Sequence, residues 1–192
     1  MALRARGPDI GRTYTPEEFE ALPQFDELYE LVDGKLVKKS MPGVAHGRIG
    51  KRIDRKLATF DPAENLGLMW RDTTFDVGTG WMPIPDLGFM VAGRVPPESE
   101  KSVKGVPDLV VEIHSPTDLC SEKEREAIQK KIADWQVVGV RIIWSINSRQ
   151  KSVEVYHLGQ ARPIQTLGEN DELSGKDVIL GFSLRVSELF SG

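Results

Sequence analysis

The segment from Gly105 to Ile146, GVPDLVVEIHSPTDLCSEKEREAIQKKIADWQVVGVRIIWSI, constrains the fold more than any other stretch of the chain. From Pro107 to His114, Leu109, Val111 and Ile113 share one face, while Asp108, Val110, Glu112 and His114 share the other. A period of two marks a β-strand, here with one apolar face and one that carries chemistry. Beyond Pro116, a polar turn holds Thr117, Asp118 and Ser121, any of which suits a helix N-cap. Ile128, Ile132 and Trp135 then recur at helical spacing over about Glu122 to Val138, and Gly139 ends that helix. A second apolar run, Arg141 to Ile146, follows at once. Strand, helix and strand with short links read as a right-handed crossover between parallel strands.

Two charges interrupt this apolar pattern. Glu112 lies mid-strand, and Lys131 lies between Ile128 and Trp135 on the helix's apolar stripe. A charged group in a core is strongly unfavourable unless it is paired, neutralised or bound to a metal. Taken singly, each has an ordinary explanation: a glutamate near a strand end reaches water, and a lysine on a helix flank snorkels its ammonium outward. Taken together, and with Asp86 upstream, they point to one site. Lys130, one residue earlier, turns away by a quarter of a turn or slightly more and belongs to a different face.

A length of 192 residues with 40% hydrophobic and 28% charged content fits one domain, with residues 1–13 as a loose leader. The basic residues near the N-terminus precede no apolar run, and no later stretch approaches a membrane span, so a cytoplasmic location is expected. The single cysteine, Cys120, excludes an internal disulfide and a cysteine-rich zinc site, and it has no evident base beside it. A formal net charge of -4 argues against coating nucleic acid by bulk electrostatics, though not against a local basic cleft.

The other elements are placed by their punctuation. Thr15-Pro16-Glu17-Glu18 is a helix start with a capping box, the helix ending near Pro23. Tyr29 to Val37 flanks Asp33-Gly34, the preferred dipeptide of a two-residue hairpin turn, and Glu30 shares a face with Val32. From Ala45 to Phe60, Ile49, Ile53, Leu57 and Phe60 form the stripe of an amphipathic helix, with His46 opening it. A histidine in that place is more often a core residue than a catalyst. Strands are expected at Met69 to Val77, Ile84 to Val91 and Ser152 to Leu158, the last hairpin-paired to its predecessor. Gly78-Thr79-Gly80 is a turn, too short for a phosphate loop. Short strands and a last helical turn, Val186 to Phe190, complete the chain.

Asp86 after Pro85, Glu112 in VVEIHSP and a following lysine resemble the PD-(D/E)XK nuclease superfamily. YELVDGKLV, the His46 helix, PDLGFM, PDLVVEIHSP and the series Lys131, Trp135, Gly139, Val140, Trp144 together resemble the Uma-type family of putative restriction endonucleases, from about Tyr29 to about Phe190. The resemblance implies an α/β fold, a mixed sheet flanked by helices, with a restriction-endonuclease-like core in the order helix, three strands, helix, strand. The residues give that order, with an N-terminal hairpin and C-terminal strands added. One position departs from the superfamily pattern: His114 stands where the lysine two residues after the second acid is expected. Members of this kind are thought to recruit a lysine from the next helix, which Lys131 matches.

What the resemblance implies is Mg2+-dependent (or Mn2+-dependent) hydrolysis of DNA, with Asp86 and Glu112 as catalytic metal ligands and Lys131 at the water or the phosphoryl oxygens. Glu30 would act on a metal-bound water, and His46 and His114 would touch substrate. Asp108 would be a substrate-side group, a supporting residue or a loop-end hydrogen-bonding residue. A homodimer is expected, since two copies of one site cut two strands. Two other readings stay open: a non-catalytic nucleic-acid-binding or complex-forming protein on the same scaffold, and a different chemistry on it.

Overall fold

Residues 7–40, 43–99, 101–116 and 120–191 are described by a computed structural model of the chain. The elements run α1 (Pro16–Glu20), β1 (Tyr29–Val32), β2 (Lys35–Lys38), α2 (Val44–Phe60), β3 (Gly67–Arg71), β4 (Phe75–Asp76), β5 (Leu87–Val91), β6 (Val103–Lys104), β7 (Leu109–His114), α3 (Glu122–Val137), β8 (Ile142–Asn147), β9 (Ser152–His157), β10 (Gln165–Leu167), β11 (Glu172–Ser174), β12 (Ser183–Arg185) and α4 (Ser187–Phe190), with a 3-10 turn at Ala92–Arg94. They fall into two compact units, one of Met1–Met41, Thr73–Ile84 and Pro96–Val106, the other of Pro42–Asp72, Pro85–Val95 and Pro107–Gly192.

In the first unit, the Thr15 side chain accepts from the Glu18 amide and the Glu18 carboxylate accepts from the Thr15 amide, so the expected capping box starts α1. β1 and β2 form the antiparallel hairpin, closed by Asp33 and Gly34 at φ +50 and +72. Two successive positive φ values are what a type I′ turn requires, and its twist matches that of the strands. Leu31 pairs with Met82, and both join Tyr14 and Leu36 in a small buried cluster. β4 and β6 add a short parallel pair.

The second unit is built on a mixed sheet in the order β10, β9, β8, β7, β5, β3, six strands among the described residues. β7 and β8 are parallel, and every other neighbouring pair is antiparallel. Every residue of β7 is buried, as befits a central strand covered on both faces. Leu109, Val111 and Ile113 join Ile142, Trp144, Ile146 and the α2 residues Ile49, Ile53 and Leu57 in the main core. On the other face α3 crosses from β7 to β8, burying Ile132 and Trp135. Ser121 is its N-cap and forms a capping box with Glu124; the other two candidates, Thr117 and Asp118, lie outside the described residues. Gly139, at φ +101, follows the helix end. The order α2, β3, β5, β7, α3, β8 is the helix, three strands, helix, strand core expected from the sequence.

The element limits differ from expectation where the backbone overrides the apolar pattern. The strand expected over Met69 to Val77 is two strands, β3 and β4, in different units. Asp72 between them adopts φ +46, which ends an extended run. β5 begins at Leu87 rather than Ile84; Pro85 has no N–H to give a ladder. Phe60, expected on the buried stripe of α2, is 44% exposed, although its ring makes a T-shaped contact with the buried Phe182. Among the described residues no helix is long and apolar enough to cross a membrane.

Two glycines give opposite forecasts for one substitution. A Cβ on Gly67 would stand 2.0 Å from the Met90 carbonyl oxygen across the β3–β5 pair, whereas one on Gly47 in α2 meets nothing within 4 Å. Gly67→Ala is expected to lower stability by about 2–3 kcal/mol or more, since the obstacle is backbone. Gly47→Ala is expected to raise it by about 0.5–1 kcal/mol through the lost freedom of the unfolded chain. Urea unfolding of the two variants checks both signs.

Candidate functional site

The charged residues of β7 and α3 meet. Lys131 Nζ lies 3.2 Å from Glu112 Oε1, and the same oxygen accepts from Trp135 Nε1 at 2.9 Å. Helical geometry dictates this: Lys131 and Trp135, four residues apart, stack on one face of α3, and burying Trp135 against the sheet carries Lys131 with it. Lys130 points elsewhere, 64% exposed and paired with Asp134 at 2.6 Å within the helix. Glu112 is 6% exposed. Two donors to one carboxylate oxygen, one of them cationic, are the kind of partnership that makes a buried carboxylate tolerable. Apolar periodicity places Trp135 in the core; its indole N–H gives it a second function that such periodicity does not register.

Asp86 joins from the neighbouring strand. β5 and β7 are antiparallel with Leu87 opposite Val111 and Gly88 opposite Val110, so one further step of that register sets Asp86 opposite Glu112. The Asp86 carboxylate accepts from the Ile113 amide at 2.7 Å, the peptide next to Glu112. His46, from the first turn of α2, lies with Nε2 2.9 Å from the same Asp86 oxygen. A carboxylate only accepts, so this Nε2 carries the proton. The histidine that opens the apolar stripe of α2 therefore orients an acid. That contact spans 40 residues of chain, which no local pattern encodes.

The remaining candidates have other partners. His114, two residues beyond Glu112, is buried with Nε2 2.9 Å from Ser145 Oγ. Both border a cleft of about 630 Å³ with Arg125, Gln129, Asn147 and Arg149. Tyr156, whose hydroxyl donates to Glu154, lies on β9; burial pushes its pKa up to about 12, so it stays protonated at working pH. Asp108 lies at the opposite end of β7 from Glu112, 1% exposed. Its oxygens accept from the Val91 amide at 3.0 Å and from Arg94 at 2.5 Å, with Arg141 at 3.5 Å. That is the loop-end hydrogen-bonding place, not the Glu112 end of the strand. Glu30 belongs to the other compact unit, where it accepts from the Ile84 amide at 2.8 Å, two positions before Asp86 in the chain. Cys120 is exposed, its thiol 3.0 Å from the Pro116 carbonyl oxygen.

The fold has counterparts. The chain is similar to a solved structure from Anabaena variabilis described as a putative nuclease belonging to DUF820, with a TM-score of 0.74 and 21% identity over 92% of this chain and 97% of that one. At that identity the likeness speaks to the fold. The DrdV–DNA complex is similar over 63% of this chain and 85% of that chain, at 12% identity and a TM-score of 0.33, too slight to carry an argument. No curated protein matches the sequence. A family model does, over residues 16–187, which takes in Asp86, Glu112 and Lys131 alike: the chain belongs to the Uma2 family, described as putative restriction endonuclease.

Proposed function

We propose that the chain is a divalent-metal-dependent DNA endonuclease whose working residues are Asp86, Glu112 and Lys131. The observation that supports it most is the buried Glu112 carboxylate held 3.2 Å from the Lys131 ammonium, with Asp86 bonded to the adjoining peptide. Among the described residues, no three His, Cys, Asp or Glu side chains gather as a ready-made metal cage. That suits Mg2+, and Mn2+ in its place, because Mg2+ keeps most of its waters and takes one or two carboxylates plus substrate phosphate oxygens. When bound, the ion supplies charge neutralisation and a water of lowered pKa. Asp86 and Glu112 are the residues that would hold it.

The chain's own groups do the rest. Lys131, with 26% of its side chain exposed, reaches solvent while staying anchored to Glu112, so its ammonium is available to an attacking water or to a phosphoryl oxygen on which charge develops. His46 fixes the Asp86 carboxylate and Trp135 fixes that of Glu112. His114 and Ser145, on the cleft beyond Glu112, would meet the nucleotide next to the cut bond. Asp108 holds the loop after β5 through Arg94, and Glu30 fixes the Ile84 amide; neither needs to touch substrate in this reading.

Plasmid DNA incubated with the protein is expected to be cut with Mg2+ or Mn2+ and left whole in EDTA. Lys131→Ala should lower the rate by about 10²- to 10³-fold, as for other lost transition-state donors, with metal binding largely kept. Lys130→Ala should change neither. Asp86→Ala should weaken metal binding with the fold intact. A protein that binds metal yet cuts no duplex or single strand is instead a binding module on a nuclease scaffold, a reading that His114 in the usual lysine position favours.

Trp135→Phe keeps an aromatic ring, smaller than the indole, and removes the N–H donor to Glu112. Loss of such a supporting hydrogen bond typically lowers metal affinity or activity by about 10- to 100-fold. Metal titration of the variant, with circular dichroism to confirm the fold, reads that effect.

Both strands of a duplex are cut by two copies of one site in a closed pair, the commonest oligomer. A homodimer is therefore expected, and light scattering at micromolar concentration without DNA would find twice the chain mass.

A further inference from the structure

α2 carries its charge very unevenly for a chain of net charge -4: Arg48, Lys51, Arg52, Arg55 and Lys56 stand against Asp54 alone. The five cations follow the spacing i, i+3, i+4, i+7, i+8, which puts them on one side of the helix. They border a common cleft of about 600 Å³ with Glu188 and Ser191. Two of them are used to hold the C-terminal segment: Arg52 donates to the carbonyl oxygens of Leu189, at 2.7 Å, and Ser191, and Lys56 pairs with Glu188. Arg48, Lys51 and Arg55 are exposed, and among the described residues no carboxylate pairs with them.

We infer that this face of α2 is a track for the phosphate backbone of a nucleic acid. Like charges at i and i+3 or i+4 repel, so such a stripe is maintained at a small loss of helix stability and gains only when a polyanion lies on it. From Arg48 to Lys56 the helix rises about 12 Å, enough for about two or three successive phosphates of one strand. An anionic membrane is the other polyanion that a basic amphipathic helix meets, but it needs a free apolar face to insert. Here Ile49, Ile53 and Leu57 are spent in the core at 6% exposure or less. The track begins two residues past His46, which bonds Asp86, so it starts within the same turn of α2 but on the opposite side of the helix. Nucleic acid as the occupant rests on the nuclease reading; the surface is tested without cleavage.

The experiment is an anisotropy titration of a short labelled DNA duplex in EDTA, over a series of salt concentrations. The wild-type chain is expected to bind, and the triple variant Arg48→Gln, Lys51→Gln, Arg55→Gln to bind at least about tenfold more weakly, with a slope of log affinity against log salt shallower by about 2 to 3. Arg48→Lys with Arg55→Lys, which keeps the charges, should bind as the wild type does, and circular dichroism of all variants should show α2 retained. Equal binding by the triple variant overturns the inference, as does wild-type binding to phosphatidylserine vesicles with none to DNA, or a triple variant that loses only self-association. Should the wild type bind through α2 but never cut with metal, the endonuclease reading falls and this one stands. Metal-dependent cutting that the triple variant performs unchanged gives the reverse.

Discussion

A carboxylate with 6% exposure, in a strand buried from end to end, has to be answered by something, and in this chain α3 answers it. Glu112 faces the side of β7 that α3 covers, and the helix delivers an ammonium and an indole N–H to one of its oxygens. The crossover geometry makes this possible. β7 and β8 are parallel neighbours, so the chain between them must climb back over the sheet, and a helix on that path lies across the strand that carries the acid. Register does the remainder, because the antiparallel β5–β7 pair leaves Asp86 one step beyond its ladder and opposite Glu112.

Much of this was legible because it is periodic. The alternation of Pro107 to His114 and the spacing of Ile128, Ile132 and Trp135 fixed which side of each element faces the sheet. From that alone Lys131 and Lys130 take different directions, as they do. What was not legible is what depends on partners far off in the chain or on single backbone angles. His46 reads as a core residue by its place on α2, and only the folded chain brings Asp86 to it. Met69 to Val77 reads as one strand, and a positive φ at Asp72 divides it between two units. The basic side of α2 was in principle open to the same periodic counting as its apolar side. A net charge of -4 is an average over the whole chain and hides a local excess of cations on α2.

α2 thus meets three demands at once, and their angular separation on one helix keeps them compatible. Ile49, Ile53 and Leu57 anchor it on the sheet; Arg52 and Lys56 tie the last residues of the chain to it; His46 at its first turn reaches Asp86. A rigid helix fastened by core on one side and by the C-terminal segment on another holds its first turn in a fixed place. In the proposed reaction that matters, because a group that orients a carboxylate for chemistry is useful only if it is itself immobile.

The two buried acids at β7, Glu112 within the strand and Asp108 just before it, show how burial alone fails to mark a functional group. Asp108 is the more buried, and its oxygens are engaged by a strand amide and by two arginines that reach in from the surface. An acid held in that way acts as a brace, and moving either arginine would loosen the strand without freeing a carboxylate for chemistry. Glu112 has a different set of neighbours. One is a rigid indole that aims the carboxylate, and the other is a lysine on a four-carbon stem with 26% of its side chain in contact with water. A flexible cation at the solvent boundary can follow a charge that changes during a reaction while the carboxylate beside it stays in place, which a planar guanidinium locked into a fork cannot do as readily. The two acids thus differ in the chemistry of their partners, a strand amide and two guanidinium groups for Asp108 against an indole N–H and a single ammonium for Glu112.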